Sequence, residues 1–328
     1  MSTLAMDGAR PHGRLLRKVF AWRELTLLIL ILLLILGMSI ASPYFLSLAN
    51  ANAVAVGLVP TGIIVVGMAI LLVSGGFDLS VGSVLALAST FCAFLMAAGW
   101  PIGFAVAGTL VLGAIVGLAN GLLVTGLSIN PLVATLGTMS VARGAALVLT
   151  EGFSLSSLPP SFGYAGSAKL LGLPVIVWMM LVIVLVGDLV LRHTAFFRQV
   201  YFIGSNERAA RLSGIPVGRV RIIAYTITAV LAALAGILLA SRLMSGTPTA
   251  GNGLELQVLA AAVIGGASLR GGEGTVLGAF LGAVFVALIN NAMTMLAVSI
   301  YWQMIVTGAV LVLAVTIDMI ARRSRSTA

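Results

Sequence analysis

The sequence predicts an all-α, polytopic membrane protein with about ten transmembrane helices. Three observations carry that expectation. Of 328 residues, 60% are hydrophobic and only 8% are charged, against roughly 25% charged in soluble domains. The hydrophobic residues fall in long runs, most of them near the ~20 residues that a helix needs to cross a bilayer. The runs lack period-two alternation, so of the two backbone arrangements that lipid permits, helices and closed barrels, they point to helices.

The runs lie at about 25–42, 52–73, 81–98, 101–126, 131–149, 172–191, 222–245, 256–268, 275–293 and 296–317, the eighth being short for a full span. The first is too long for the h-region of a signal peptide and has no clear cleavage site, so it reads as a retained span. Placing the N-terminus in the cytoplasm and alternating sides puts 15 of the 18 basic residues inside. These are Arg10, Arg14, Arg17, Lys18 and Arg23, six between Arg192 and Arg221, Arg270, and Arg322, Arg323 and Arg325. Lys169 and Arg242 fall outside and Arg143 within a span. Such asymmetry is the positive-inside signature, and Trp22, Tyr44, Trp100, Tyr301 and Trp302 fall near the expected interfaces, where amphipathic rings settle. The net charge of +9 therefore marks topology rather than a nucleic-acid footprint. Residues 1–24 form a basic cytoplasmic segment, 25–321 one membrane domain with a cytoplasmic loop at 192–221, and 322–328 a cytoplasmic tail. Both termini are expected inside, in a multi-pass protein of the cytoplasmic membrane.

Several chemistries are excluded. There is no G-x-x-x-x-G-K-[ST] phosphate loop, since neither Lys18 nor Lys169 follows the required glycines. No paired carboxylates sit deep in a span, where a proton relay would need them. Asp188 and Asp318 each have an arginine four residues on, Arg192 and Arg322, which reads as helix-face ion pairing. The lone cysteine, Cys92, lies in an apolar run and reads as a small buried residue. With two lysines and two histidines, a metal or catalytic cluster has few ligands, so neither an enzyme nor a cofactor site is expected. The chain lacks an evident energy source of its own.

A weak internal repeat is visible. Gly75-Gly76, Leu79 and Gly82-Ser83-Val84-Leu85 answer to Gly265-Gly266, Leu269 and Gly274-Thr275-Val276-Leu277, the second copy being two residues longer. Glycine-interrupted segments at matching places mark transport routes in repeat-built carriers; tight surface turns fit the same glycines. Both readings stay open.

The 206–216 segment, NERAARLSGIP, reads as a two-turn helix. Asn206 can cap its free amides. Glu207 sits at its positive end and Arg211 in its last turn. Gly214 suits a left-handed stop, and Pro216 forbids continuation. Two turns do not stand alone in water, so this helix must dock, and Ala209, Ala210 and Leu212 offer a small apolar surface. Gly113, Gly117 and Gly121 recur every four residues, as do Gly274, Gly278 and Gly282, a spacing that favours close helix packing. Arg143 within its span must face a helix interface or a wet cavity.

Four stretches together resemble a known family: GGFDLSVGSVLAL (75–87), INPLVATLGTMSVARGAALVLT (129–150), GSNERAARLSGI (204–215) and ELQVLAAAVIGGASLRGGEGTVLGAFLGA (255–283). In order and content they resemble the membrane permease subunits of carbohydrate ABC importers of the ribose, xylose and galactoside kind, over about 50–318. The resemblance implies a second permease chain, identical or a sibling, a cytoplasmic ATP-binding subunit, and a periplasmic substrate-binding protein. It also implies that the E-A-A-x-x-x-G-like loop docks on the ATPase. Ala209, Ala210 and Gly214 match that signature, while Glu207 stands one place early with Arg208 in its slot. The coupling residues are therefore expected to be Asn206, Glu207, Ala209, Ala210, Arg211 and Gly214. A carbohydrate path or gate is expected among Asp78, Ser80, Asn120, Asn130, Thr135, Thr138, Ser268, Thr275, Asn290 and Asn291, uncharged but for Asp78. No cofactor is implied; the chemical partners are a carbohydrate and membrane lipid.

Three rivals remain at this level: a related permease for branched-chain amino acids or nucleosides, an ion-coupled secondary carrier, and a non-transporting membrane scaffold or receptor. The few charges and the GG-x-D-L-S-x-G pattern lie closer to the sugar branch.

Overall fold

The computed structural model describes the backbone of residues 12–299, 301–309, 312–313 and 316, with side chains from Glu24 onward. The tail at 322–328, the Asp318–Arg322 pair and the first eleven residues lie outside the described residues. The helices are α1 (His12–Ala41), α2 (Leu48–Val73), α3 (Val81–Ala97), α4 (Ile102–Thr125), α5 (Pro131–Thr150), α6 (Gly163–Ser167), α7 (Val175–His193), α8 (Ala195–Ser205), α9 (Glu207–Leu212), α10 (Val217–Leu243), α11 (Leu254–Ile264) and α12 (Val276–Met295). Residues 301–309 are helical as well.

Among the described residues, α1, α2, α4, α5, α7, α10 and α12 are long and apolar enough to cross a membrane, whereas α3 and α11 are shorter. The apolar run at 25–42 falls in α1 but for its last residue, and the run at 52–73 lies within α2. The short eighth run has a structural cause. Residues 246–253 precede α11 as non-helical backbone lying along α3. Arg143 Nη1 on α5 donates to the carbonyls of Pro248 (2.6 Å) and Ala250 (2.8 Å), and the Thr247 amide reaches Ser89 Oγ (3.4 Å). Irregular backbone survives in a membrane domain only where protein buries and satisfies it. Arg143 is thus engaged in structural pairing.

α2 is the hub. From Thr61 to Val73 every one of its residues is buried, as befits a helix segment that is apolar on nearly all sides. α7, α10 and α12 pack around it. Gly67 lets the Thr228 backbone of α10 approach, and Gly62 admits Met180 of α7. Pro60 within α2 is tolerated because neighbouring helices compensate for its missing amide. The row Gly113, Gly117 and Gly121 faces α10: an added Cβ at Gly117 would stand 2.6 Å from Thr226 Cα, and one at Gly121 2.8 Å from Ile222 Cα. Gly278 and Gly282 likewise face the Gly265 and Ala261 carbonyls. These rows are packing devices. Cys92 is fully buried. Outward faces of α1, α4, α5 and α7 carry exposed leucine, valine and isoleucine, the surface that a lipid solvent favours.

Residues 151–174 contain α6 and a two-stranded antiparallel hairpin. β1 (Lys169–Leu170) and β2 (Leu173–Pro174) pair in the register Lys169–Pro174 and Leu170–Leu173. Leu171 and Gly172 both have positive φ, the twist required of a two-residue hairpin turn. Ser241 Oγ ties this cap to α10, donating to Phe162 O (2.6 Å) and accepting from the Gly166 amide (2.9 Å).

Candidate coupling and translocation site

α8 and α9 lie at the end of the bundle where the two glycine breaks, 74–80 and 265–275, also lie. Asn206 interrupts the helical path with extended backbone and caps α9, its Oδ1 accepting from the Ala209 amide (3.0 Å). Gly214 has φ +78, which only glycine adopts readily, and the Ile215 amide closes back on Ala210 O (3.1 Å). The capping and stop residues therefore act as their types require.

Ala210 turns inward and is buried, whereas Ala209, Gly214 and Leu212, the last 85% exposed, face out. The outward apolar group of α9 is thus Leu212, with Ala210 acting as the seat of the helix.

Glu207 joins α9 to the rest of the chain. Its carboxylate receives Arg211 Nη2 (2.7 Å) and Arg221 Nη1 (2.8 Å), and Arg221 Nη2 donates to Ser74 O (3.1 Å) in the first break. The hydrogen bond from Arg211, with the charge of Arg221 beside it, holds the Glu207 carboxyl below its ordinary range despite partial burial. Tyr225 OH donates to Phe77 O (3.2 Å), so α10 holds that break at two carbonyls.

α8 touches both breaks. Gly204 leaves no room for a side chain: a Cβ there would meet Val73 O, the Gly272 amide and Gly271. The Gly272 amide donates to Val73 O (2.8 Å), bonding the second break directly to the last residue of α2, where the first break begins. Tyr201 OH donates to Gly274 O (2.8 Å); burial pushes its pKa up to about 12, so it stays a donor at neutral pH. Gly271, Gly272 and Gly274 all have positive φ, conformations that explain their residue type.

The expected path residues fall into separate places. Asp78 Oδ1 accepts from the Ser80 amide (2.7 Å) and Ser80 Oγ (2.6 Å). Asn120 Nδ2 donates to Asp78 Oδ2 (3.2 Å) and Ser80 Oγ (3.1 Å), and Thr138 Oγ1 donates to Asn120 Oδ1 (2.6 Å). This knot across the first break, α4 and α5 saturates its own members. Thr135 is buried and bonds Pro131 O (2.8 Å), while Asn130 caps α5 through the Leu132 amide (2.8 Å). In the second break Ser268 Oγ accepts from the Arg270 amide (3.1 Å). Thr275 caps α12 through the Gly278 amide (2.9 Å) and donates to Glu24 Oε1 (2.8 Å). Asn291 exchanges two hydrogen bonds with Asn50, and Asn290 lies beside it on α12, toward the opposite end of the bundle. A cavity of about 330 Å3 lies between the first break, the α4–α5 turn and α9, with Gly75, Asn130, Glu207 and Arg221 in its wall.

Arg221, Gly204, Tyr201 and Tyr225 were missed by sequence reasoning. Arg221 was visible only as one more loop charge, and Gly204 only as the first residue of the GSNERAARLSGI stretch.

The family model described as branched-chain amino acid transport system / permease component matches residues 50–315. The chain belongs to that permease family. The permease is 39% identical over 285 residues to the ribose import permease protein RbsC of Escherichia coli, covering 86% of this chain and 89% of that protein. It is 39% identical to the Bacillus subtilis protein of the same name, covering 86% and 88%. It is 36% identical over 306 residues to the L-arabinose transport system permease protein AraH of Escherichia coli, covering 93% of each. No solved structure matches. The permease is a multi-pass inner-membrane subunit of an ABC importer; ATP hydrolysis belongs to a separate ATP-binding subunit, and a substrate-binding protein completes the system.

Proposed function

We propose that this permease moves a monosaccharide or closely related carbohydrate inward by alternating access, driven by the ATP-binding subunit through α9. The observation that carries the substrate class is the identity to ribose and L-arabinose permeases over most of the chain. The continuous chain from Glu207 through Arg221 to Ser74 O supports the coupling route. It gives force applied to α9 a stiff path to the first break, from which the Gly272–Val73 bond leads to the second.

In this reading the α8–α9 end faces the cytoplasm, with both termini on that side, as the distribution of basic residues supports. Residues 25–321 act as one permease domain with 192–221 as its coupling loop, between the basic 1–24 segment and the 322–328 tail. Asn206, Glu207, Arg211 and Gly214 shape α9, Ala210 seats it, and Ala209 with Leu212 offers the contact to the ATPase. A second permease chain, the same or a sibling, completes the membrane unit, and a periplasmic binding protein delivers substrate to its outer face. Asp78, Ser80, Asn120, Thr135 and Thr138 brace the helices beside the first break. Asn130 lines the inner cavity, Ser268 and Thr275 shape the second break as a gate, and Asn290 and Asn291 belong to the outer half of the path.

The test is uptake into proteoliposomes that hold the permease with its ATP-binding subunit and binding protein. ATP-dependent accumulation of a pentose or hexose is expected. Uptake of a branched-chain amino acid in place of any sugar, or uptake by the permease alone on an ion gradient, would overturn the reading.

A further inference from the structure

The cavity between α2, α11 and α12 differs in chemistry from the Asp78 knot. It measures about 240 Å3, and its polar lining is Thr61, Gln257, Asn290, Asn291 and Thr294. Asn291 is paired with Asn50, and Thr294 with the Asn290 carbonyl. Thr61, Gln257 and Asn290 make no side-chain hydrogen bond with the described protein atoms. Thr61 lies midway along α2 and is only 9% exposed. Polar side chains left open within a membrane domain face a wet path or a solute, and each of these borders the cavity.

We propose that this cavity is the section of the route that holds the carbohydrate, with Thr61, Gln257 and Asn290 as its binding groups; the proposal rests on the carbohydrate reading above. A carbohydrate presents hydroxyls that both donate and accept, and amide and hydroxyl side chains do the same. Among the described residues, no ionised side chain lines the cavity. An amino acid would bring two opposite charges and find no counter-charge there. A neutral lining also holds its solute weakly enough to release it, as conduction requires. From Ala53 to Thr61 the α2 wall runs about 12 Å at 1.5 Å per residue. Asn290 and Thr294 stand at the end of α12 away from the Gly272–Val73 bond, so the cavity lies toward the end of the bundle opposite α8 and α9 and stops short of the breaks. By contrast, Asp78, Asn120 and Thr138 spend their hydrogen bonds on one another and have little left for a solute.

The test uses the complete transporter in proteoliposomes, with D-ribose and L-arabinose as probes. Gln257→Leu and Asn290→Leu are expected to lower uptake at least tenfold while co-purification of the ATPase and its stimulation by the binding protein persist. Gln257→Asn and Asn290→Gln are expected to restore part of it. Uptake within twofold of the unmodified transporter in both leucine variants would overturn the proposal. A second readout is labelling of Asn290→Cys by a small polar methanethiosulfonate, with the single native cysteine, Cys92, buried. The transported sugar should slow the reaction at least threefold; a cysteine that does not react, or that reacts at one rate with or without sugar, would overturn it. The two readings fail differently. If the unmodified transporter takes up no sugar, the carbohydrate reading falls; if it does and the variants are indifferent, only the assignment of this cavity falls.

Discussion

The amide of Gly272 donates to the carbonyl of Val73 at 2.8 Å. These residues are nearly two hundred positions apart, and each stands at a glycine break that interrupts the helical path. The bond, together with Gly204 pressed against both partners, makes one joint of two breaks and the helix that leads into α9.

That joint predicts a strict steric requirement at Gly204. Gly204→Ala pushes a methyl group into backbone that cannot step aside, at a cost of about 1–3 kcal/mol typical of overpacking. Lower thermal stability in detergent and impaired transport are expected. Gly218→Ala is the control, because that position opens onto free space, and it should leave both unchanged. Equal behaviour of the two variants would refute the joint.

Leu212 is 85% exposed at the end of α9. Leu212→Asp should therefore leave the thermal midpoint of the isolated permease unchanged and weaken co-purification of the ATPase at least tenfold. Ala210→Leu should do the reverse first, since Ala210 is buried, and lower the midpoint before any partner is involved. A Leu212→Asp variant that retains its ATPase fully would remove α9 as the docking element.

The electrostatics of α9 set a pH window. Glu207 has its carboxyl held below the ordinary value of 4.5 by Arg211 and Arg221. Its contribution is fully present above that value and is lost as pH falls through the depressed pKa. Hydrogen exchange of the 207–214 amides should be no less protected, after correction for intrinsic rates, at about pH 5 than at neutral pH. Glu207→Gln should lose protection across that whole range. Loss of protection in the unmodified chain already near pH 6 would contradict the assignment.

The Asp78 knot predicts stability effects. Asn120→Leu removes two donors from a buried carboxylate and its serine, and leaving such groups unpaired costs about 1–3 kcal/mol or more. Its thermal midpoint should fall further than that of Thr138→Val, which removes one hydroxyl. A midpoint unchanged in Asn120→Leu would show the knot to be dispensable.

Local features were legible in the sequence. Asn206, Gly214 and Pro216 announce a capped and stopped helix because caps act within four residues. The apolar runs announce α1, α2, α4, α5, α7, α10 and α12 because lipid imposes a length on each span. The repeat at Gly75 and Gly265 was visible, but not that its copies touch, since that contact arises only when the helices assemble. A six-residue helix has too few positions to define a stripe, which is why the inward turn of Ala210 was not legible. The short eighth run hinted at something other than a full helix. The non-helical backbone at 246–253 was hidden because the side chains that bond it, Arg143 and Ser89, lie over a hundred residues away in the chain. Thr61 and Gln257 are lone polar residues in apolar runs, and only the folded arrangement sets them beside Asn290.

Arg221 carries force from α9 to the breaks in this reading, and the ratio of ATP hydrolysis to sugar uptake in Arg221→Met is the decisive measurement. Arg221→Met should give a transporter that assembles, hydrolyses ATP in response to the binding protein, and accumulates at least tenfold less sugar per ATP. An assembled transporter in which the ratio is unchanged, whether both rates persist or both fall together, would contradict it.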